Sequence, residues 1–179
     1  MSRTALLVID VLNSYEHDDA DALADSAALI VEPLAGLIGV ARDHDDVDLV
    51  YVNDNYGDFT ATRDDIVRQA LDGAHPELVE PLLPEKDCTF LEKVRHSAFY
   101  ATPLSYLLTR LDTTRVVLTG QVTEQCILYS ALDAYVRHFE VVVASDAVAH
   151  IDAELGRAAL RMMQQNMRAT VVSAADCLS

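Results

Sequence analysis

Three residue types, far apart in the chain, could carry out nucleophilic chemistry together: the carboxylate of Asp10, the ammonium of Lys93 and the thiol of Cys126. Cys126 closes the segment Thr119-Gly120-Gln121-Val122-Thr123-Glu124-Gln125-Cys126, between the apolar run Arg115–Leu118 and an amphipathic stretch ending near Arg137. The pattern predicts a strand, a tight turn and the first turn of a helix. A thiol there faces unpaired backbone N–H groups and the positive end of a helix dipole, which favour thiolate. A small buried hydrophobe, the usual state of a free Cys, fits the position equally well. Asp10 ends the apolar run Thr4–Ile9. A carboxylate entering a buried region needs a partner or stays protonated. Lys93 follows the short run Thr89–Glu92 and could be that partner. The acid could then take the thiol proton and return it to a leaving amine. Taken singly, Asp10 also reads as a turn acid and Lys93 as a solvated charge.

The elements that must bring these groups together alternate along the chain. Strands are expected at Thr4–Ile9, Leu49–Asn53, Thr89–Glu92, Arg115–Leu118, Glu140–Ala144 and Ala169–Val172. Helices are expected at Asp25–Arg42, Asp64–Leu71, Pro103–Leu111, Glu124–Arg137 and Asp152–Asn166. Pro33 predicts a kink or a late start in the first helix, and Thr102 is the expected N-cap of the third. Gly73–Pro84, with its three prolines, reads as loop with room for one helical turn. Alternating strands and helices imply βαβ units, a parallel sheet and helices on both faces. Sites in such sheets lie outside the carboxyl ends of the strands. That rule selects Asp10, Asn53–Tyr56, Lys93, Gly120–Cys126 and Asp146. No repeat or linker divides residues 1–179, which read as a single domain.

Composition narrows the function. The chain has 179 residues, 51% of them apolar, enough for one α/β domain with a full core. The net charge of −16 repels nucleic acid and anionic membranes. No uninterrupted apolar run reaches the roughly 18 residues of a membrane helix, and the N-terminus lacks a signal-peptide pattern. A cytoplasmic location is expected. Three cysteines without CxxC spacing argue against a disulfide framework and a cysteine zinc site. Cys88 and Cys177 lack a helix-start context and read as structural. Acid without lysine (only Lys86 and Lys93 occur) fits a high-salt cytoplasm, and equally an acidic protein from a GC-rich genome. The phosphate loops GxGxxG and GxxxxGK[ST] do not occur.

The segments Ala5–Asn13, Phe90-Leu91-Glu92-Lys93, Gly120–Cys126 and Val142–Ala147 resemble the signature segments of the isochorismatase-like cysteine hydrolases, in order and over nearly the whole chain. The resemblance implies a three-layer α/β/α fold with six parallel strands in the order 3-2-1-4-5-6. It implies an Asp10–Lys93–Cys126 triad, a cis peptide at Gln121–Val122, and an oxyanion hole from the Val122 and Cys126 N–H groups. It implies a small-molecule substrate, no cofactor and a homo-oligomer. Nicotinamidases in this group bind a metal through Asp-x-His after strand two; the matching stretch is Asp54-Asn55-Tyr56, and His75 and His96 lack the ligand spacing. No catalytic metal is therefore expected. Isochorismatases proper lack the nucleophilic Cys.

The expected activity is metal-independent cleavage of a C–N bond in a small amide, ureide or carbamoyl compound through a thioester. Two alternatives stay open: an isochorismatase-type enzyme in which Asp10 protonates a vinyl ether, and a non-catalytic ligand-binding α/β module. Asn13, Asp54, Asn55, Tyr56 and His96 are candidate pocket residues, each with a plain alternative as turn, packing or loop residue. Tyr15, Phe59, Phe99 and Tyr100 could add walls. Glu124 suits the helix dipole without a catalytic role, and Asp146 is expected to order the loop after strand five.

Overall fold

The computed structural model describes residues 3–178. Six parallel strands form one sheet in the order β3-β2-β1-β4-β5-β6. They are β1 (Arg3–Ile9), β2 (Val47–Asp54), β3 (Thr89–Lys93), β4 (Thr113–Gln121), β5 (Glu140–Ala149) and β6 (Thr170–Val172). The expected three-layer α/β/α architecture and strand order are both present.

The central strand β1 is apolar throughout because helices cover both of its faces. Side chains alternate across a strand, so Leu6 and Val8 join one core and Ala5, Leu7 and Ile9 the other. The first core is closed by α1 (Ala20–Arg42), α2 (Arg63–Leu71) and α3 (Pro76–Val79). The second is closed by α4 (Leu104–Arg110), α5 (Leu128–Val136) and α6 (Ala153–Met167). Local chemistry sets the helix starts. Thr62 and Asp65 form a reciprocal capping box on α2. Asp152 accepts the Glu154 and Leu155 N–H groups at the start of α6. Thr102 Oγ1 accepts the Leu104 N–H, but α4 begins at Leu104 with Pro103 at its N-cap, so Thr102 stands one residue outside the N-cap position expected for it.

Two boundary differences bear on the site. Helix α1 starts at Ala20, before Asp25, and carries Pro33 inside it. Leu29, four residues earlier, is 76% exposed, so the carbonyl deprived of its donor lies on the solvent side. At 23 residues α1 is also long and apolar enough to span a bilayer, unlike any stretch the sequence reading admitted. Its Leu23, Ala27, Ile30, Leu34, Leu37 and Ile38 pack onto the sheet as a core helix does. Strand β5 runs on to Ala149, past a register shift opposite Leu118–Gly120. Asp146 therefore stands within the strand, where its carboxylate accepts the Ala174 N–H at 2.6 Å and orders the turn after β6 rather than a loop after β5.

The register levels the strand ends that matter. Ile9 pairs with Val52 on one side and Gly120 on the other, and Asp54 pairs with Lys93. Gly120 has φ +102°, and a Cβ there would lie 2.0 Å from the Ile9 carbonyl oxygen. Only glycine permits β4 to pass β1 this closely.

Candidate active site

Asp10 leaves β1 in the left-handed region with φ 54°. Its Oδ1 accepts the Asp54 N–H at 2.7 Å and its Oδ2 lies 2.8 Å from Lys93 Nζ. Lys93, 1% exposed, also reaches Asp54 Oδ2 at 3.2 Å, the Arg95 carbonyl at 3.1 Å and Cys126 Sγ at 3.6 Å. A buried ammonium is tolerated because acceptors surround it. The Cys126 thiol and the Asp10 carboxylate lie close enough to shift each other's titration. The structure thus gathers at one strand edge the three groups the sequence singled out.

Cys126 is 8% exposed. The segment Thr123–Ile127 is a single π-helical turn leading into α5, not the start of an ordinary α-helix. The Val122 carbonyl takes the N–H groups of Gln125 and Ile127, which flank Cys126. The Gln121–Val122 peptide is cis, and the Val122 N–H points at the Cys126 sulfur. Three anchors hold the turn. Gln121 Nε2 donates to the Asp10 carbonyl at 2.7 Å, and its Oε1 accepts the Tyr15 hydroxyl at 3.2 Å. Thr123 Oγ1 donates to the Ala149 carbonyl. Glu124 Oε1 accepts the Ile151 and Asp152 N–H groups, tying the Cys126 turn to the α6 entrance. Glu124 therefore has a structural task beyond the dipole.

The electrostatics correct one expectation. Burial and the neighbouring Asp10 charge raise the Cys126 pKa well above the ordinary thiol value, and the Lys93 ammonium and Val122 N–H offset this only in part. Both causes favour the thiol at rest, against the thiolate that its place at a helix start favours. Burial also raises the Asp10 pKa, against the pull of Lys93, which makes its carboxylate a better proton acceptor. Burial alone would lower Lys93, but Asp10, the sulfur and Asp54 outweigh it and keep the ammonium charged.

A cleft of about 340 Å³ opens over the sulfur. Of the five candidate pocket residues, Asn13, Asp54, Tyr56 and His96 line it. His96 Nδ1 lies 3.9 Å from the sulfur, and its ring stacks on Tyr129. Tyr56 exposes 46% of its surface, yet its buried hydroxyl donates to the Leu12 carbonyl at 2.9 Å. Asn55 does not line this cleft; its carboxamide oxygen accepts the Gly57 N–H and shapes the turn, and it borders an adjoining hollow of about 530 Å³ with Phe59, Arg95 and Tyr100. Phe99 is core. Gln125, within the Gly120–Cys126 stretch that the strand-end rule selects, lines the cleft too, and His17, Asp19, Leu23 and Ile151, which were not singled out in the sequence, complete it. Each of these four comes from a loop or from α1, where no periodicity marks them.

Asp54 does not fit the Asp-x-His metal motif. Its Oδ1 accepts the Tyr56 N–H at 2.8 Å and its Oδ2 faces the Lys93 ammonium. Tyr56, in the His position, has its hydroxyl committed to Leu12. Among the described residues, no group of three or more His, Cys, Asp or Glu is placed to hold a metal ion.

The sheet order and the strand-edge cleft define a three-layer α/β hydrolase. The isochorismatase domain profile matches residues 4–176, and the chain belongs to the isochorismatase family. It is 31% identical over 169 residues to YaaI, an uncharacterised isochorismatase family protein of Bacillus subtilis, covering 94% of this chain and 93% of that one. It is 31% identical over 155 residues to the maleamate amidohydrolase of Pseudomonas putida, covering 82% and 72%. The N-carbamoylsarcosine amidase of Thermoplasma acidophilum superposes with a TM-score of 0.76 at 26% identity, covering 97% and 98%.

Proposed function

We propose that this hydrolase is a cysteine amidohydrolase that cleaves the C–N bond of a small amide, ureide or carbamoyl compound without a metal. One observation carries the reading: a single buried ammonium, Lys93 Nζ, sits 2.8 Å from Asp10 Oδ2 and 3.6 Å from Cys126 Sγ. The amidohydrolase and amidase names of two relatives point to the same bond.

The chemistry follows from the resting charges. Asp10 takes the Cys126 proton as the sulfur attacks the substrate carbonyl carbon. Lys93 stays charged and holds Asp10 in line. The developing oxyanion is held by the Val122 and Cys126 N–H groups; the Val122 N–H, which points at the sulfur at rest, is poised beside it. Collapse breaks the C–N bond, and Asp10 hands its proton to the departing ammonia or amine. Water, deprotonated by Asp10, then cleaves the thioester and restores the thiol.

A panel of small amides, ureides and carbamoyl compounds, followed by ammonia release and intact-protein mass spectrometry, tests this. The expected result is turnover of at least one compound with an acyl adduct on Cys126. Full turnover by Cys126→Ala would overturn it.

A further inference from the structure

We propose that the cleft over Cys126 selects substrates by charge, admitting neutral or cationic amides and turning away those that carry a carboxylate. This rests on the amidohydrolase reading and names the substrate class of that same site.

The cleft wall holds three carboxylates, Asp10, Asp19 and Asp54, and neither Arg nor Lys is among its lining residues. The one nearby ammonium, Lys93, is 1% exposed and faces Asp10 and Asp54 together, so two acids share one cation. Asp19 stands at the start of α1 without a side-chain cap bond, its charge open to the cleft mouth. The remaining wall is uncharged or apolar: Asn13, Gln121 and Gln125 are neutral amides, the first two already bonded to Tyr15, and Leu23, Val122 and Ile151 offer hydrocarbon. The His17 and His96 imidazoles also face it. A substrate carboxylate entering here would lose water and gain like-charge neighbours without a counter-ion. The net charge of −16 opposes its approach from further out. Arg95 lines the adjoining hollow, which shares Asp54 and His96 with the cleft, and not the cleft itself.

Two alkylating agents of nearly equal size, neutral iodoacetamide and anionic iodoacetate, read this directly. Their rates at Cys126 are measured by mass spectrometry at about pH 8, each divided by the rate of glutathione with the same reagent. The expected normalised rate with iodoacetamide is about ten-fold or more above that with iodoacetate. The gap should narrow in about 1 M salt, and by about two-fold in Asp19→Asn. A gap unmoved by salt would be steric and would overturn charge selection. Equal rates, or faster iodoacetate, would overturn it too; loss of that preference in Arg95→Gln would make Arg95 an anion-reading residue. No alkylation by either reagent overturns this inference, since a cleft that admits neither does not select by charge; the amidohydrolase reading then stands or falls on the amide panel. Selective alkylation with no amide hydrolysed would sink the amidohydrolase reading and leave charge selection standing.

Discussion

Cys126 and Cys177 make an internal comparison. Both are buried thiols on short irregular turns that follow a strand of one sheet. Cys126 follows β4, with β1 beside it and β2 and β3 beyond. The ends of those strands deliver Asp10, Asp54 and Lys93 to its sulfur. Cys177 follows β6, the edge strand, with only β5 alongside. Its sulfur is fully buried and donates to the Ser173 carbonyl at 3.2 Å. Both thiols titrate above the ordinary range because of burial, Cys177 at about 11. What separates them is a proton acceptor and an opening. In the proposed reaction Cys126 owes its role to the neighbouring strand ends, not to its own turn.

Substitution of the two cysteines should split them furthest. Cys126→Ser is expected to lower amide turnover by about a thousand-fold or more, since the nucleophile is lost. Cys177→Ser, whose hydroxyl can make the same bond to Ser173, should leave turnover within about two-fold. Steady-state ammonia release on both variants checks this, and a comparable loss in both would erase the distinction.

Removing the cation sharpens it next. Lys93→Met leaves Asp10 and Asp54 facing each other without a counter-charge. Breaking a buried ion pair costs about 3–5 kcal/mol, which urea unfolding at about pH 8 would show. With the ammonium gone, the burial that already raises Asp10 favours its protonated form still more. The deficit relative to the parent chain should then shrink as pH falls toward the carboxylate range. A deficit constant with pH would mean lost packing instead.

The smallest effect lies at alkaline pH. Folding holds the Cys126 proton above the ordinary thiol value of 9.0 and the Lys93 proton above 10.5. Above pH 9 the unfolded chain releases protons that the folded chain keeps, so stability falls as pH rises. The slope is at most about 1.4 kcal/mol per pH unit for each fully protected group. Cys177 contributes only between 9.0 and about 11. Cys126→Ser should flatten the limb from pH 9 upward, and Cys177→Ser only below about pH 11. Denaturant midpoints across this range test both, and an unchanged limb in Cys126→Ser would show that its thiol is not held protonated.

Much of this was legible in the chain. Period and punctuation give six strands and the long helices, because a doubly covered parallel strand must be apolar throughout and a core helix must carry a stripe. The strand-end rule gives Asp10, Lys93 and Cys126 as one neighbourhood. It also flags Asp54, but as a turn or pocket residue; the Asp54–Lys93 register makes it the second acid on the ammonium. His17, Asp19, Leu23 and Ile151 carried no signal, since nothing in their local spacing says which way a loop folds back.

The sequence by itself determined which groups are available and at which edge of the sheet they emerge, because hydrophobic period and strand ends are local properties. Only the tertiary structure sets the direction in which the Cys126 proton is shifted. A helix start favours thiolate, but the same fold buries the sulfur and sets it against Asp10, and desolvation with a like charge at contact outweighs a dipole. Those two terms exist only once β1 and β4 lie side by side.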